Sequence, residues 1–229
     1  DLQAAPEPYV LFNAGAQPLI ALTTNPGQTM PHQEQEYVKN GVGPLTTNLD
    51  YATAADRLGE FYPEALNKKP YRSACTRIKK MLSFSRLVGA QGVMQVETCP
   101  FHSPSMPKKM KLMRESAQVG FMKTYIESLQ TYLADKPVVV ISGAGSKESL
   151  HGETKVSAWP AWQAQIAGLD LAASFFAPLV KNEKGKTTVG AFVSTGVGVS
   201  AKKALVLMMG NNNLPGDEGL KLLADAFLK

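Results

Sequence analysis

Four short segments of this chain hold the residue types that chemistry needs, and each follows an apolar run. Asn25-Pro-Gly27 comes after Pro18–Thr24, and Glu97-Thr-Cys-Pro100 after Val93–Val96. Gly143-Ala-Gly-Ser146 comes after Pro137–Ser142, and Gly210-Asn-Asn-Asn213 after Ala204–Met209. An asparagine amide holds and orients a water without being a base. An ionised carboxylate accepts hydrogen bonds and donates none. A Gly-x-Gly turn lets a backbone approach a phosphate closely. Amides such as those of Asn211 and Asn212 donate to an atom that gains negative charge. Each segment also has a plainer reading. Asn-Pro-Gly is a common turn, the asparagine run can cap a helix, and Glu97 can be structural, paired with a lysine or arginine. Gly143-x-Gly145 lacks the third glycine and the strand-end acid of a dinucleotide fingerprint.

The elements that must position these segments read as strands alternating with helices. The four apolar runs are strands, and Thr188–Ser194 is a fifth. Helices are expected at Gln33–Lys39, at Tyr51–Glu60 behind Asp50 as N-cap, and at Arg72–Val88 with Ile78, Met81 and Leu82 facing inward. Leu112–Leu133 shows the clearest helical spacing, through Met122, Tyr125, Ile126, Leu129 and Leu133. A short helix follows Ser146, Leu169–Val180 reads as helix ending near Pro178, and Leu220–Leu228 closes the chain. Trp159 and Trp162 fall in an apparently irregular stretch, more as core anchors than as stacking platforms. This alternation predicts an α/β fold, a three-layer sandwich around a mainly parallel sheet, with ligands at the carboxyl ends of the strands.

Composition sets the bounds. With 229 residues, 44% hydrophobic and 19% charged, the chain suits one globular domain spanning 1–229. No apolar run approaches the roughly 20 residues of a membrane helix. Asp1–Pro8 shows no basic-then-apolar leader pattern, so a cytoplasmic location is the default expectation. Cys75 and Cys99 are too few for a zinc or iron–sulfur centre built from this chain's thiols. No metal, cofactor or obligate protein partner is expected. The net charge is +5, and its placement is informative. Ala65 to Val96 contains no Asp or Glu but carries Lys68, Lys69, Arg72, Arg77, Lys79, Lys80 and Arg86. Such a concentration is either a solvated helix face or the footprint of a polyanion partner, here DNA.

Taken in order, the four segments resemble the motifs of the uracil-DNA glycosylase superfamily, most closely its single-strand-selective and mismatch-specific members. That family ends its first strand in Gly-x-Asn-Pro-Gly, and this chain has Thr23-Thr-Asn-Pro-Gly27, without the leading glycine. The family's Asn-Tyr-Cys-Pro corresponds to Glu97-Thr-Cys-Pro100, and its valine-rich strand and glycine turn to Val138–Ser146. Its closing His-Pro-Ser-Pro motif has no counterpart, and Asn211 to Asn213 stand in that region. The resemblance implies a monofunctional glycosylase that flips a base out of DNA and hydrolyses its N-glycosidic bond. Asn25 would position the water and Asn211 would serve the departing base. Gly27, Gln28, Asn212 and His102 would line the base site, and Tyr37 would stack on the base, with Tyr51 in reserve. Lys68, Lys69, Arg72, Lys79, Lys80, Gly143 and Ser146 would contact the DNA backbone. Tyr37 also reads as an ordinary half-buried helix residue.

Glu97 replaces the asparagine that reads uracil in that family. Asparagine matches uracil's O4 and N3–H, whereas a carboxylate repels O4 and suits the N4 amino group of cytosine. Cytosine or a substituted cytosine is therefore the better fit. Excising normal cytosine would be toxic, and the resemblance extends to anti-phage glycosylases of the same superfamily, which implies a modified cytosine such as the glucosylated hydroxymethylcytosine of phage DNA. Uracil or deaminated-base repair is the conservative alternative. Two readings from other classes stand beside it: a nucleotide-binding α/β enzyme using Gly143–Ser146 as a phosphate loop, and an inactive DNA-binding module.

Overall fold

The run Leu19-Ile-Ala-Leu-Thr23 is buried at every position, as a strand must be when helices cover both faces of its sheet. A computed structural model describes residues 3–4, 18–24, 80–99, 101–102, 114–116, 118, 120–143, 150, 156–195, 202–209 and 214–229. The described strands are β1 (Gln3–Ala4), β2 (Leu19–Thr23), β3 (Val93–Glu97), β4 (Phe101–His102), β5 (Val138–Gly143), β6 (Phe175–Lys181), β7 (Thr187–Val193) and β8 (Lys203–Met208). The helices are α1 (80–87), α2 (Gly120–Leu133), α3 (Ala158–Ile166) and α4 (Asp217–Leu228). β1 and β4 form a small antiparallel pair.

The six other strands form one mixed sheet in the order β3-β2-β5-β8-β7-β6. β3, β2, β5 and β8 are mutually parallel. β7 runs antiparallel to both neighbours, so β6 points the same way as the first four. The sheet is mostly parallel, as the alternation of elements predicts, and β7 is its one reversed strand.

Alternating side chains along each strand feed two cores. Ile20, Leu22, Val138, Val140, Leu205 and Leu207 pack with Met122, Ile126, Leu129 and Leu133 of α2 and Trp159 and Ile166 of α3. Leu19, Ala21, Val139, Ile141 and Val206 pack on the opposite side with Met81, Phe84 and Val88 of the α1 region and Leu220, Leu223 and Phe227 of α4. Phe84 and Phe227 meet edge to face at 5.5 Å, joining α1 to α4. Each fully buried Leu, Ile or Phe contributes about 1.5–3 kcal/mol, so these two clusters dominate the stability of the fold.

Two expectations fail, and both failures involve proline. Leu169–Val180 is not a helix: Phe175–Lys181 is the edge strand β6, and its register shifts around Pro178 and Val180. An edge strand tolerates a residue without an N–H, and a short apolar run has no period long enough to distinguish strand from helix. Trp159 and Trp162 sit in α3, not in irregular chain. Pro160 lies in the first turn of that helix, where its missing N–H has no intrahelical partner to lose. Trp159 is buried and packs at 5.0 Å from Trp162 with the two rings tilted by 48°, so the core-anchor reading holds.

Other bounds move by a few residues. The long second helix starts at Gly120, whose φ of +56° is left-handed and interrupts the run from the helical turn at 114–116. α4 starts at Asp217, with Asp217 and Glu218 in its first turn, where acids favour the helix dipole. Of Arg72–Val88, 80–87 are helical and Val88 is in the turn that follows, while 72–79 lie outside the described residues, as do Gln33–Lys39, Tyr51–Glu60 and the short helix after Ser146.

Candidate functional site

Because β3, β2, β5 and β8 are parallel and adjacent, their carboxyl ends lie along one edge of the sheet. Thr23 pairs with Glu97, and Gly143 pairs with Met208. The strands that precede all four chemistry-bearing segments therefore end at the same edge, although they are spread over nearly the whole sequence. This is the position at which open α/β sheets bind their ligands.

A buried polar network joins the ends of β2 and β3. The Thr23 hydroxyl donates to Glu97 Oε2 at 2.5 Å, and the Gln95 amide donates to Glu97 Oε1 at 2.7 Å. Glu97 itself is only 2% exposed. Tyr125, reaching up from α2, donates its hydroxyl to the Glu97 carbonyl at 2.5 Å. Burial, then the negative charges of Glu97 and Cys99, push the Tyr125 phenol well above its ordinary range, so it stays a proton donor.

The next residues along β3 continue the network. The Thr98 N–H and hydroxyl both donate to the Thr23 carbonyl at 2.8 Å. Gln163, fully buried on α3, donates to the Thr98 hydroxyl at 2.9 Å and to the Thr23 carbonyl at 3.4 Å. The Cys99 N–H donates to the Thr24 carbonyl at 2.9 Å, and the Cys99 side chain is buried. Side chains from β2, β3, α2 and α3 thus lock the points from which two of the four segments depart. Gln163 Oε1 and Trp159 Nε1, both on the inner face of α3, are buried without a hydrogen-bond partner. Such atoms cost about 1–3 kcal/mol each.

Glu97 is buried among these donors at the strand end. Gly143 is exposed, and a Cβ there would meet nothing within 4 Å. Its lack of a side chain is not demanded by packing. His102 belongs to β4 at the level of the backbone. Lys80 lies on α1 and donates its ammonium to the Leu214 carbonyl ahead of α4. Burial lowers its pKa and Asp217 partly offsets this. Asn25, Gly27, Gln28, Tyr37, Tyr51, Lys68, Lys69, Arg72, Lys79, Ser146, Asn211 and Asn212 lie outside the described residues.

Tyr125, Gln163, Gln95 and Thr98 were not singled out in the sequence as site residues. Tyr125 was visible as part of the apolar stripe of α2, where a phenol implies a hydrogen-bond partner. Gln163 became legible only once α3 was known to be a helix, as a polar side chain at an inward position four residues from Trp159.

The amino edge of the sheet has its own buried charge. Lys203, 5% exposed, donates to the carbonyls of Leu133 at the end of α2 and Lys136 in the turn that follows. Burial lowers its pKa to about 8, against a smaller raising effect from Asp135. A separate cavity of about 590 Å³ lies between α2 and α3, where Arg114, Lys123, Glu115 and Glu127 mix both signs of charge beside Trp162. It is lined mainly by exposed helix residues and is not at the strand ends. Among the described residues, no group of three or more His, Cys, Asp or Glu side chains is arranged to hold a metal ion. No described helix is long and apolar enough to cross a membrane. No family model, curated protein or solved structure matches the chain.

Proposed function

We propose that the chain is a monofunctional DNA glycosylase, a three-layer sandwich of the uracil-DNA glycosylase kind that acts on a modified cytosine. One observation carries this reading: the strands leading into the Asn-Pro-Gly, Glu-Thr-Cys-Pro, Gly-Ala-Gly-Ser and Gly-Asn-Asn-Asn segments end side by side on one sheet edge. Glycosidic cleavage asks for little more than convergence. The sugar develops positive charge and the departing base negative charge, so a positioned water and a few fixed donors do most of the work.

In this scheme Asn25 holds the water near the anomeric carbon. It is too weak a base to force attack, so the sugar cation forms first and the water then adds. The base leaves with the bonding electron pair, the water oxygen bonds to the sugar carbon, and the water's proton passes to solvent or to the departed base. Asn211 and Asn212 donate to the base as it gains charge. Tyr37 stacks on the extruded base, offsetting part of the few kcal/mol that unstacking costs. Lys68, Lys69, Arg72, Lys79 and Lys80 supply phosphate contacts.

Glu97 supports the choice of cytosine. Both of its oxygens accept hydrogen bonds in the folded chain, which fixes a carboxyl group in this position. The N4 amino group of cytosine is a donor and O4 of uracil is not. The network around Thr23, Gln95 and Thr98 would hold that carboxylate in one orientation.

The test is incubation with matched duplexes carrying uracil, 5-hydroxymethylcytosine or glucosylated hydroxymethylcytosine, followed by alkali to cut at abasic sites. Cleavage at a modified cytosine is expected. Cleavage at uracil alone reassigns the protein to deaminated-base repair. No cleavage of any duplex, with thermal stabilisation by free nucleotides, replaces the glycosylase with a nucleotide-binding enzyme.

A further inference from the structure

The β6–β7 hairpin is an insertion between two parallel strands, β5 and β8, and it turns at the carboxyl edge of the sheet. Its tip reads Lys181-Asn-Glu-Lys-Gly-Lys186, and Lys181, Lys184 and Lys186 are all exposed. Glu183 is the only acid in that tip. The described ion pairs, Lys123–Glu127 and Lys136–Asp135, involve none of these residues. Asp217 and Glu218 stand in the first turn of α4, which packs against β6 where Gly219 meets the Leu179 carbonyl.

The tip is also rigidly built. Asn182 Oδ1 accepts the N–H groups of Lys184 at 3.0 Å and Lys186 at 2.9 Å. The Asn182 N–H donates to the Lys186 carbonyl at 2.9 Å, and Gly185 takes the left-handed φ of +71° that the turn requires. The lysines are therefore presented from a fixed platform, which lowers the ordering cost of engaging a partner. The hairpin is part of the sheet, so the platform and the four strand ends form one rigid frame.

We infer that this hairpin is a second backbone clamp for DNA, set beside the base site and distinct in sequence from the basic stretch of Ala65–Val96. The inference rests on the DNA-directed reading above for the identity of the polyanion. Strands lie about 4.8 Å apart, and β6 is four places from β2, so the hairpin stands roughly 19 Å from the strand that leads to Asn25. At 3.4 Å of helix axis per nucleotide, the lysines meet phosphates about five to six base pairs to one side of the flipped base. The contact with the duplex is therefore lopsided.

The experiment compares the full chain with a Lys181→Ala/Lys184→Ala/Lys186→Ala variant and a charge-preserving triple Lys→Arg variant. Affinity for a 30-base-pair duplex is measured against salt, with melting temperature as the folding control, and base release is read on the same duplex. The alanine variant should melt normally, bind several-fold to tenfold more weakly at low salt, and lose about two to three from the magnitude of its log–log salt slope. The arginine variant should restore both values. Shortening the duplex to within about five base pairs of the target should weaken binding from one end only. An unchanged slope in the alanine variant, or equal sensitivity at both ends, overturns the clamp. So does retention on phosphatidylserine vesicles that depends on the same lysines while DNA binding does not. Base release with no dependence on the hairpin sinks the clamp and leaves the glycosylase reading standing. Binding that depends on the hairpin without base release does the reverse.

Discussion

Two charged side chains are buried at opposite edges of the same sheet, and their surroundings differ in kind. Lys203, at the amino edge, donates its ammonium to the Leu133 carbonyl at the end of α2 and to the Lys136 carbonyl in the turn that follows. That is a staple between a strand and a helix. Glu97, at the carboxyl edge, is held by the Thr23 hydroxyl and the Gln95 amide at the point where two loops leave the sheet. Burying an ion costs free energy wherever it is done. At the amino edge the cost is offset by closing a helix end. At the carboxyl edge no helix end is closed, and what is oriented is an acceptor beside the proposed base site. A buried charge reads as structural or functional from what it satisfies, not from its burial.

Substitutions at four positions test this contrast, beginning with the largest effect. Asn25→Ala should lower single-turnover base release by roughly a hundredfold or more, the scale on which a key positioning or electrostatic group acts, while DNA binding persists. Activity near that of the unaltered chain would remove the carboxyl edge from the chemistry altogether. Glu97→Gln comes next. A hydrogen bond to a charged group contributes about 1.5–3 kcal/mol, so preference for a cytosine-type over a uracil-type base should fall by roughly tenfold to a hundredfold. Glu97→Asn should recover some action on uracil. If base preference is untouched while melting temperature drops, Glu97 is a staple like Lys203.

Lys203→Met tests the amino edge. It removes the ammonium from the Leu133 and Lys136 carbonyls, and the expected loss is about 1–3 kcal/mol of stability with base preference unchanged. The unaltered chain carries a pH signature as well. The folded pKa of Lys203, about 8, lies below its ordinary 10.5. Between those values the unfolded chain binds more protons, so this residue makes stability rise as pH increases through that window. A neutral amine keeps N–H groups for the carbonyls and loses the penalty on its charge. Denaturant midpoints at pH 8 and 10 should show this rise in the unaltered chain and not in Lys203→Met. The smallest effect belongs to Gly143→Ala. With open space around the added Cβ and no left-handed backbone, stability should stay within about 0.5 kcal/mol. A fall in DNA affinity without a fall in melting temperature would mark Gly143 as a place where DNA approaches the backbone.

What the residues alone determine is the central sheet and the contents of its carboxyl edge. Runs such as Leu19–Thr23 and Val138–Gly143 are apolar at successive positions because helices cover both of their faces, and that pattern needs no knowledge of neighbours. A parallel sheet then forces the ends of its strands to one side, so the grouping of Thr23, Glu97, Gly143 and Met208 follows from chain order and strand direction. What only the tertiary structure decides is everything that rests on partners distant in sequence. Phe175–Lys181 is too short and too apolar to declare a period, and it becomes a strand because β7 offers it an edge. Gln163 reaches Thr23 across 140 residues and Thr98 across 65, and no local pattern encodes such a meeting. Glu97 and Lys203 look alike in sequence, as charges at the ends of apolar runs. They part company only when the fold puts a helix end against one and the departing loops beside the other, because a charge takes its role from the dipoles around it.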